Sequence, residues 1–426
     1  MWMSVKIKKI LVILLLVLYA EPGLSRELRL ADLIEAALKN SPKLLSSRSR
    51  TEAATFRIPQ AGSLPDPMFM FGYQNEGYRR YTYGEMQGAQ YIFSASQTLP
   101  LAGKRSLKAE TAAKDADSIK AQHEGLRLNL IARVKELYFD LFLAYKSIDL
   151  IQDRQRLFAN IEEVALGRYA SGKVSQQEVL MAQTEKYMLL EKEEMLQQKI
   201  ESLEAMLKAA VGRDEASGLG KPVEPAITSM LLKPQEALVR AAERSPEIRS
   251  KTLMVAAAES RKKLAQREYY PDVTLNGSIF PRGEEFQDMW SLTATVNVPL
   301  YFKTKQNMAE KEAAAALLEA QHELEDARLL VAAAVKDNLA ILRTSEKLMD
   351  LYKNGLILKN HQDFELSLSG YVTGKVDAIV AITRLKTLLE YETQYWGQRV
   401  EREKSIARLQ AIIGDLESGA GDNPHE

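Results

Sequence analysis

Histidine and cysteine, which often bind metals or carry nucleophilic chemistry, are scarce in this chain of 426 residues. There is no cysteine, which excludes disulfides and thiolate metal sites. The histidines are His123, His322, His361 and His425. None has a second histidine three or four residues away, the spacing at which two ligands on one helix share a metal ion. We therefore interpret them as solvated surface residues and predict no metal site.

Three methionines recur at a spacing that could suit a soft metal ion. Met181, Met188 and Met195 are seven residues apart, and a thioether sulfur is a ligand for Cu(I). The same spacing places side chains along one seam of a helix, where methionine commonly packs. Packing is the interpretation that the sequence favours, and no cofactor is predicted.

The sequence contains no set of residues that predicts catalysis. It has no glycine-rich phosphate loop, no nucleophile elbow and no zinc-protease motif. Its carboxylates lie among lysines and arginines, as solvated charges on helices do. The 57 basic and 57 acidic residues balance, which gives no indication of nucleic-acid binding. We predict that the protein is not an enzyme and that any coupling to ATP or protons resides in a partner.

The first 25 residues have the pattern of a secretory signal peptide. Lys6, Lys8 and Lys9 precede an apolar run from Ile10 to Ala20, which is shorter than the 20 or so residues that span a bilayer. We expect cleavage after Ser25, and no lipid anchor, because that attachment needs a cysteine. The tail, residues 415–426, is expected to be flexible.

The remainder of the chain is a duplication with a period near 200 residues. Ser41-Pro42 returns as Ser245-Pro246, and Tyr169 to Val174 returns as Tyr371 to Val376. In each half a short helix leads through Ser-Pro into a longer one, and two strands and two long helices follow. We assign residues 26–217 to the first structural repeat, 218–233 to a Gly- and Pro-rich linker, and 234–414 to the second repeat.

Four long segments without proline are rich in Ala, Leu, Glu, Lys and Gln, which favours helices. They are residues 103–168, 174–212, 303–370 and 376–413. Leucine and alanine recur in heptads within them, which is typical of coiled coils. A helix of some 60 residues extends roughly 90 Å. We expect such helices in a rod or a tube rather than in a globular domain.

Four short segments of alternating apolar and polar residues precede the long helices. They lie at about residues 68–75, 90–98, 272–280 and 290–298. Their length and alternation are typical of transmembrane β-strands, apolar toward lipid and polar toward a lumen. Four strands are too few to close a barrel, and an open sheet edge in lipid leaves backbone groups unsatisfied. Several copies of the chain are therefore expected to share one barrel. The number of strands per chain does not determine how many copies there are.

The ordered set of motifs resembles the TolC family of outer-membrane efflux proteins, over about residues 28–414. The resemblance rests on the duplicated order of elements, on the two Tyr…Gly-Lys-Val turns, and on Leu64-Pro65-Asp66-Pro67 and Tyr270-Pro271-Asp272 before the strands. Leu64 to Pro67 together with Gln97 to Arg105 is most similar to the heavy-metal, CzcC-like branch.

The family resemblance implies a mainly α fold with a small β membrane part. Three copies would share a twelve-stranded outer-membrane β-barrel, continued by a long periplasmic α-helical barrel. The implied function is a passive exit duct in a tripartite efflux system for heavy-metal cations or drugs. Its partners would be a periplasmic adaptor (membrane fusion) protein, an inner-membrane pump and outer-membrane lipid.

By the same resemblance, the turns between the long helices are the periplasmic tips that meet the adaptor. The residues assigned to this contact are Tyr169, Gly172, Lys173, Glu178, Tyr371, Gly374, Lys375 and Asp377. Any coiled-coil hairpin also needs a glycine turn and solvated charges, so a purely structural role is the alternative.

Two other functions fit parts of the same pattern. One is the outer-membrane component of a protein secretion system built on the same fold. The other is a periplasmic coiled-coil adaptor or structural rod, which needs a single hairpin beside compact β-domains. Because the strand pairs occur twice here, the sequence favours the duct over the rod.

Overall fold

The computed structural model describes residues 27–213, 219–228 and 235–414. The predicted signal peptide and the predicted tail lie outside the described residues, as does part of the predicted linker. Among the residues that are described, no helix is apolar enough over a sufficient length to cross a membrane.

The first half of the chain contains two shorter helices, two strands and two long helices. In order they are α1 (Leu30–Asn40), α2 (Pro42–Gly62), β1 (Met68–Gln74), β2 (Gln90–Leu99), α3 (Lys104–Ala170) and α4 (Gln176–Val211). The long helices begin and end within two residues of the bounds predicted from sequence.

The second half has the same order, with one interruption. Its elements are α5 (Gln235–Ala242), α6 (Pro246–Arg267), β3 (Val273–Phe280), β4 (Met289–Val296), α7 (Gln306–Leu351), a π-helical turn (Tyr352–Leu356), α8 (Ile357–Val372) and α9 (Ala378–Ile413). The long segment predicted as one helix over 303–370 is therefore interrupted by the π-helical turn, which contains Gly355.

The paired Ser-Pro motifs begin helices, as the sequence predicts. Pro42 and Pro246 are the first residues of α2 and α6, where a missing backbone N–H costs nothing. Ser245 caps α6, because its hydroxyl oxygen accepts a hydrogen bond from the Ile248 N–H at 3.2 Å.

The chain divides into two compact units, each with contributions from both halves. One consists of the described parts of 1–44, 127–238 and 335–426, and the other of 45–126 and 239–334. In the first unit, two clusters of buried apolar residues fill the space between helices, one around Leu141 and Leu207 and one around Phe158 and Leu385. The second unit contains the sheet, whose strand order is β1-β2-β3-β4 with every pair antiparallel.

The described part of the linker, residues 219–228, lacks helix and is nevertheless firmly attached within the first unit. Val223 N donates to Leu28 O at 3.2 Å, beside a parallel bridge between Leu28 and Pro222. Further along the linker, Arg399 of α9 pairs with Glu224 at 2.6 Å. The Thr228 hydroxyl donates to the buried carboxylate of Glu403 at 2.6 Å. The linker therefore packs as part of this unit.

Candidate functional site

The four-stranded sheet has one apolar and one polar face. Its register pairs Phe71 with Phe93, and Ile279 with both Phe93 and Trp290, so their side chains share a face. The apolar side chains on this face are Phe69, Phe71, Tyr73, Tyr91, Phe93, Ala95, Leu99, Val273, Leu275, Ile279, Trp290, Leu292, Ala294 and Val296. Large members of this set are exposed, such as Trp290 at 79%. A contiguous exposed apolar surface of this kind is typical of a surface that contacts lipid or another protein.

The opposite face is mainly polar in β2, β3 and β4, although Met68, Met70, Ile92, Phe280 and Met289 also lie on it. It carries Ser94, Ser96, Thr98, Thr274, Asn276, Ser278, Ser291, Thr293 and Thr295. Hydroxyl groups bridge neighbouring strands there, since Thr98 Oγ1 and Thr274 Oγ1 are 3.0 Å apart. The two faces of the sheet thus differ in composition, as the alternation in the sequence indicates.

The connections β1–β2 and β3–β4 lie at the same end of the sheet and pack closely on each other. A Cβ atom added to Gly283 would lie 2.7 Å from the Cα of Gly84, so neither loop can move closer. Tyr91 N donates to Pro281 O at 3.0 Å, and the hydroxyls of Tyr81 and Tyr91 are 2.8 Å apart. The two connections at this end of the sheet therefore pack directly against each other.

The two turns between the long helices of the first unit have the same backbone geometry. Gly172 has a φ of +67° and Gly374 a φ of +78°, the left-handed region that favours glycine. Gly172 N donates to Tyr169 O at 2.9 Å, and Lys173 N donates to Arg168 O at 2.9 Å. In the second turn the Gly374 and Lys375 N–H groups make the equivalent bonds, at 3.0 and 2.8 Å. These are Schellman motifs, which end a helix and satisfy its last carbonyls.

Three side chains from the ends of three helices meet between the two turns. Arg168, at the end of α3, donates from Nη1 to the Tyr371 carbonyl oxygen at 3.0 Å. Its guanidinium also lies over the Tyr371 ring, 4.9 Å from guanidinium carbon to ring centroid. Glu178, in the first turn of α4, provides the third side chain. This Arg168–Tyr371–Glu178 cluster joins the two hairpins inside the chain.

Burial and two charged neighbours act on the pKa of the Tyr371 phenol within this cluster. Burial raises the pKa of the Tyr371 phenol, the nearby Glu178 carboxylate raises it further, and Arg168 opposes both effects. The Tyr371 hydroxyl and Glu178 Oε2 are both buried, and neither has a hydrogen bond of ordinary geometry among the described residues. Buried polar atoms without a hydrogen bond cost free energy, so these two atoms lower the stability of the cluster.

The predicted tip residues differ in how far they are buried. Tyr169, Gly172, Lys173, Gly374, Lys375 and Asp377 are exposed. Glu178 is partly buried and Tyr371 is fully buried. The exposed residues lie at the surface of the single chain, whereas Tyr371 packs between the two hairpins. Sequence reasoning missed Arg168, which at the end of a helix reads only as a cation that favours the helix dipole.

The residues that the structure describes contain no cluster of His, Asp and Glu with the geometry of a metal site. His322 and His361 lie at the surface beside single carboxylates, Glu325 at 3.8 Å and Glu365 at 3.5 Å. A pair of this kind offers too few ligands to hold a metal ion firmly.

Similar proteins were found by sequence and by structure. Outer membrane protein TolC of Vibrio cholerae is 21% identical over 402 residues, which are 91% of each chain. The cobalt-zinc-cadmium resistance protein CzcC of Cupriavidus metallidurans is 23% identical over 333 residues, 75% of this chain and 77% of CzcC. The crystal structure of VceC from Vibrio cholerae superposes with a TM-score of 0.79 at 17% identity, covering 90% of this chain and 96% of VceC.

A family model described as outer membrane efflux protein matches residues 33–213 and 237–415, in both halves of the chain. The match and the relatives confirm the predicted family, the mainly α fold class and the function in tripartite efflux. They also confirm the predicted location in the outer membrane, and the predicted partners, which are two further copies of the chain, a periplasmic adaptor and an inner-membrane pump. This chain belongs to the outer membrane efflux protein family.

Proposed function

We propose that three copies of this chain form a passive duct through which efflux substrates leave the periplasm. The observation that carries the proposal is the register of the sheet, which collects most of the apolar side chains on one face and the serine and threonine side chains on the other. Such a sheet faces lipid on one side and a water-filled passage on the other.

The free edges of the sheet support assembly from several copies. Within one chain β1 and β4 are the edge strands, and they run in opposite directions. Their outer backbone groups need hydrogen-bond partners wherever water is absent. In a ring of three copies, β4 of one copy can pair antiparallel with β1 of the next, which satisfies these groups.

At the tips, the exposed residues Tyr169, Lys173, Lys375 and Asp377 bind the periplasmic adaptor. The Schellman turns at Gly172 and Gly374 present these side chains on rigid loops. The Arg168–Tyr371–Glu178 cluster holds the hairpins in the resting position, and docking of the adaptor shifts it. Partner contact and hairpin closure are thus assigned to different residues of the same tip.

The substrate class that we propose is heavy-metal cations, because CzcC, a cobalt-zinc-cadmium resistance protein, is among the relatives. Drugs are the other class to test. The duct performs no chemical step and needs no resident cofactor, since the inner-membrane pump supplies the energy.

Membrane fractionation, native mass measurement and resistance assays test this function together. The expected results are recovery in the outer membrane at three times the mass of the processed chain, and lost resistance to zinc, cobalt or cadmium salts in a deletion strain. A monomer in the soluble periplasmic fraction would exclude the duct. Normal metal resistance with lost drug resistance would retain the duct and reassign its substrate.

A further inference from the structure

The first of the two hairpins keeps one stripe of buried side chains along α3, with a strict spacing of seven residues. Its members are Leu137, Ala144, Ile151, Phe158 and Ala165, each at most 2% exposed. A straight α-helix would drift by about 80° over four heptads, so the last member would leave the face of the first. The unbroken stripe therefore shows that packing in the first unit follows the seven-residue period of a coiled coil.

The corresponding stripe of the second hairpin contains one additional residue. Val335 and Leu342 are seven positions apart before the π-helical turn, Phe364 and Tyr371 are seven positions apart after it, and all four are buried. Leu342 and Phe364, however, are 22 positions apart, one more than three heptads. The turn Tyr352–Leu356 lies between them. Because a π-helical turn holds one residue more than an α-helical turn, it accommodates the additional residue.

The π-helical turn thereby decides which face of α8 packs inward. Each residue of an α-helix turns it by about 100°, so an uninterrupted α-helix over 335–371 would rotate α8 by about 100° from its observed position. Phe364 and Tyr371 would then leave the buried face, and the Tyr371 ring would leave the Arg168 guanidinium. The turn is the element that brings Tyr371 into the Arg168–Tyr371–Glu178 cluster.

The contacts of the turn are few and lie near the surface. Its five residues are all partly or fully exposed. The Tyr352 ring packs on Tyr391 of α9 with 6.0 Å between centroids, and the Asn354 side chain donates to Asp350 Oδ1 at 2.7 Å. Gly355 adds no side-chain packing and lowers the preference for regular helix. A segment with little burial is one that rearranges more readily than the packed helices around it.

The observed position of α8 also leaves two buried oxygens without hydrogen bonds. Asn360 Oδ1 and the Tyr371 hydroxyl are both buried, and neither has a partner in the part of the chain that the structure describes. Burial of the Phe364 and Tyr371 rings stabilises this position, whereas the unpaired oxygens oppose it. Asn360 lies four residues before Phe364, on the same face of the helix, so a rotation of α8 moves both oxygens off the packed face. Opposing contributions of this kind are what an element with two positions requires.

We propose that the π-helical turn Tyr352–Leu356 is the joint at which the tip of the duct opens. In the closed duct the turn holds the additional residue and keeps Tyr371 against Arg168. On opening, the turn becomes α-helical, α8 rotates by about 100°, and Tyr371 leaves the cluster. The inference rests on the proposed function, because it names the element that regulates the duct.

Deletion of Asn354 from the full-length protein tests the joint. The deletion removes the additional residue, so the buried stripe stays in register through a regular α-helix, and α8 has no second position in register. Because the chain has no cysteine, Ser367→Cys places a single thiol on the packed face of α8, where Ser367 is 7% exposed. We expect maleimide to label this thiol about tenfold more slowly in the trimer that also lacks Asn354. Asn354→Ala, which keeps the number of residues, is the matched control and should leave the labelling rate unchanged.

Equal or faster labelling after the deletion would overturn the joint. A deletion variant that forms no trimer would overturn it as well, because Asn354 would then not be an additional residue. Fractionation of the same cells separates this inference from the proposed function. An outer-membrane trimer whose labelling does not respond to the deletion rejects only the joint, whereas absence of the unmodified protein from the outer membrane rejects the duct.

Discussion

The guanidinium of Arg168 lies 4.9 Å from the ring centroid of Tyr371, although the two residues are 203 positions apart in sequence. Tyr371 is the repeat equivalent of Tyr169, the neighbour of Arg168. Arg168 also donates to the Tyr371 carbonyl, so the end of one hairpin is attached to the end of the other. The duplication therefore provides equivalent turns, while a contact made by only one of the two copies joins them.

Replacing Arg168 with alanine should loosen the closed tip. The change removes a cation–π contact and a hydrogen bond, together worth about 1–2 kcal/mol, which corresponds to a factor of about 5–30 in a closed-to-open equilibrium. Single-channel recordings in planar bilayers should show higher conductance than in the unmodified protein. Arg156→Ala, an exposed arginine on the same helix, is the control and should leave conductance unchanged. Equal conductance of both variants would show that Arg168 does not hold the tip.

Tyr371→Phe should alter stability at alkaline pH. Burial raises the pKa of the Tyr371 phenol, so the folded protein holds this proton more tightly than the unfolded chain does. The stabilisation is fully present below the unfolded pKa of about 10 and is lost as the pH rises through the higher folded pKa. Thermal unfolding between about pH 9 and pH 12 should therefore decline less steeply in Tyr371→Phe. Tyr187→Phe, at an exposed position of α4, supplies the comparison, and identical slopes for all three proteins would refute the prediction.

Glycine-to-alanine substitutions should have opposite effects at two positions near the tips. Gly374 has a φ of +78°, where alanine costs about 1–2 kcal/mol. Gly167 lies within α3 with open space around its Cα, where alanine stabilises a helix by about 0.5 kcal/mol. Thermal unfolding should show a lower Tm for Gly374→Ala and an equal or higher Tm for Gly167→Ala. A similar decrease for both would show that side-chain bulk, rather than backbone conformation, decides the effect.

The sequence predicts the elements of this fold well because their signals are local. Alternation over eight or nine residues predicts the first and last residue of each strand to within two positions. The register then follows from placing most of the apolar side chains on one face. The turn at Gly374 is equally local, since its glycine and the Lys375 N–H complete a Schellman motif.

Features that depend on contacts between distant segments could not be predicted in this way. The sequence indicates only a Gly- and Pro-rich linker, yet its residues Glu224 and Thr228 bind Arg399 and Glu403 of α9, 175 positions further along the chain. The π-helical turn at Tyr352–Leu356 contains Gly355, but a single glycine inside a long helical segment does not by itself predict such a turn. Arg168 belongs to this group, because only the packing of two hairpins places it over Tyr371.

Opposite faces of β4 should respond differently to the same charge. Leu292 lies on the apolar face and Thr293 on the hydroxyl-bearing face, and both are exposed in the single chain. A lysine at Leu292 places an ammonium against lipid near the middle of the strand, at a cost of about 2–4 kcal/mol per copy, whereas a lysine at Thr293 faces water. Leu292→Lys should therefore reduce the amount of trimer in the outer-membrane fraction, and Thr293→Lys should leave it unchanged but shift conductance toward anions. The reverse result, loss of trimer only in Thr293→Lys, would mean that the polar face is the one that packs.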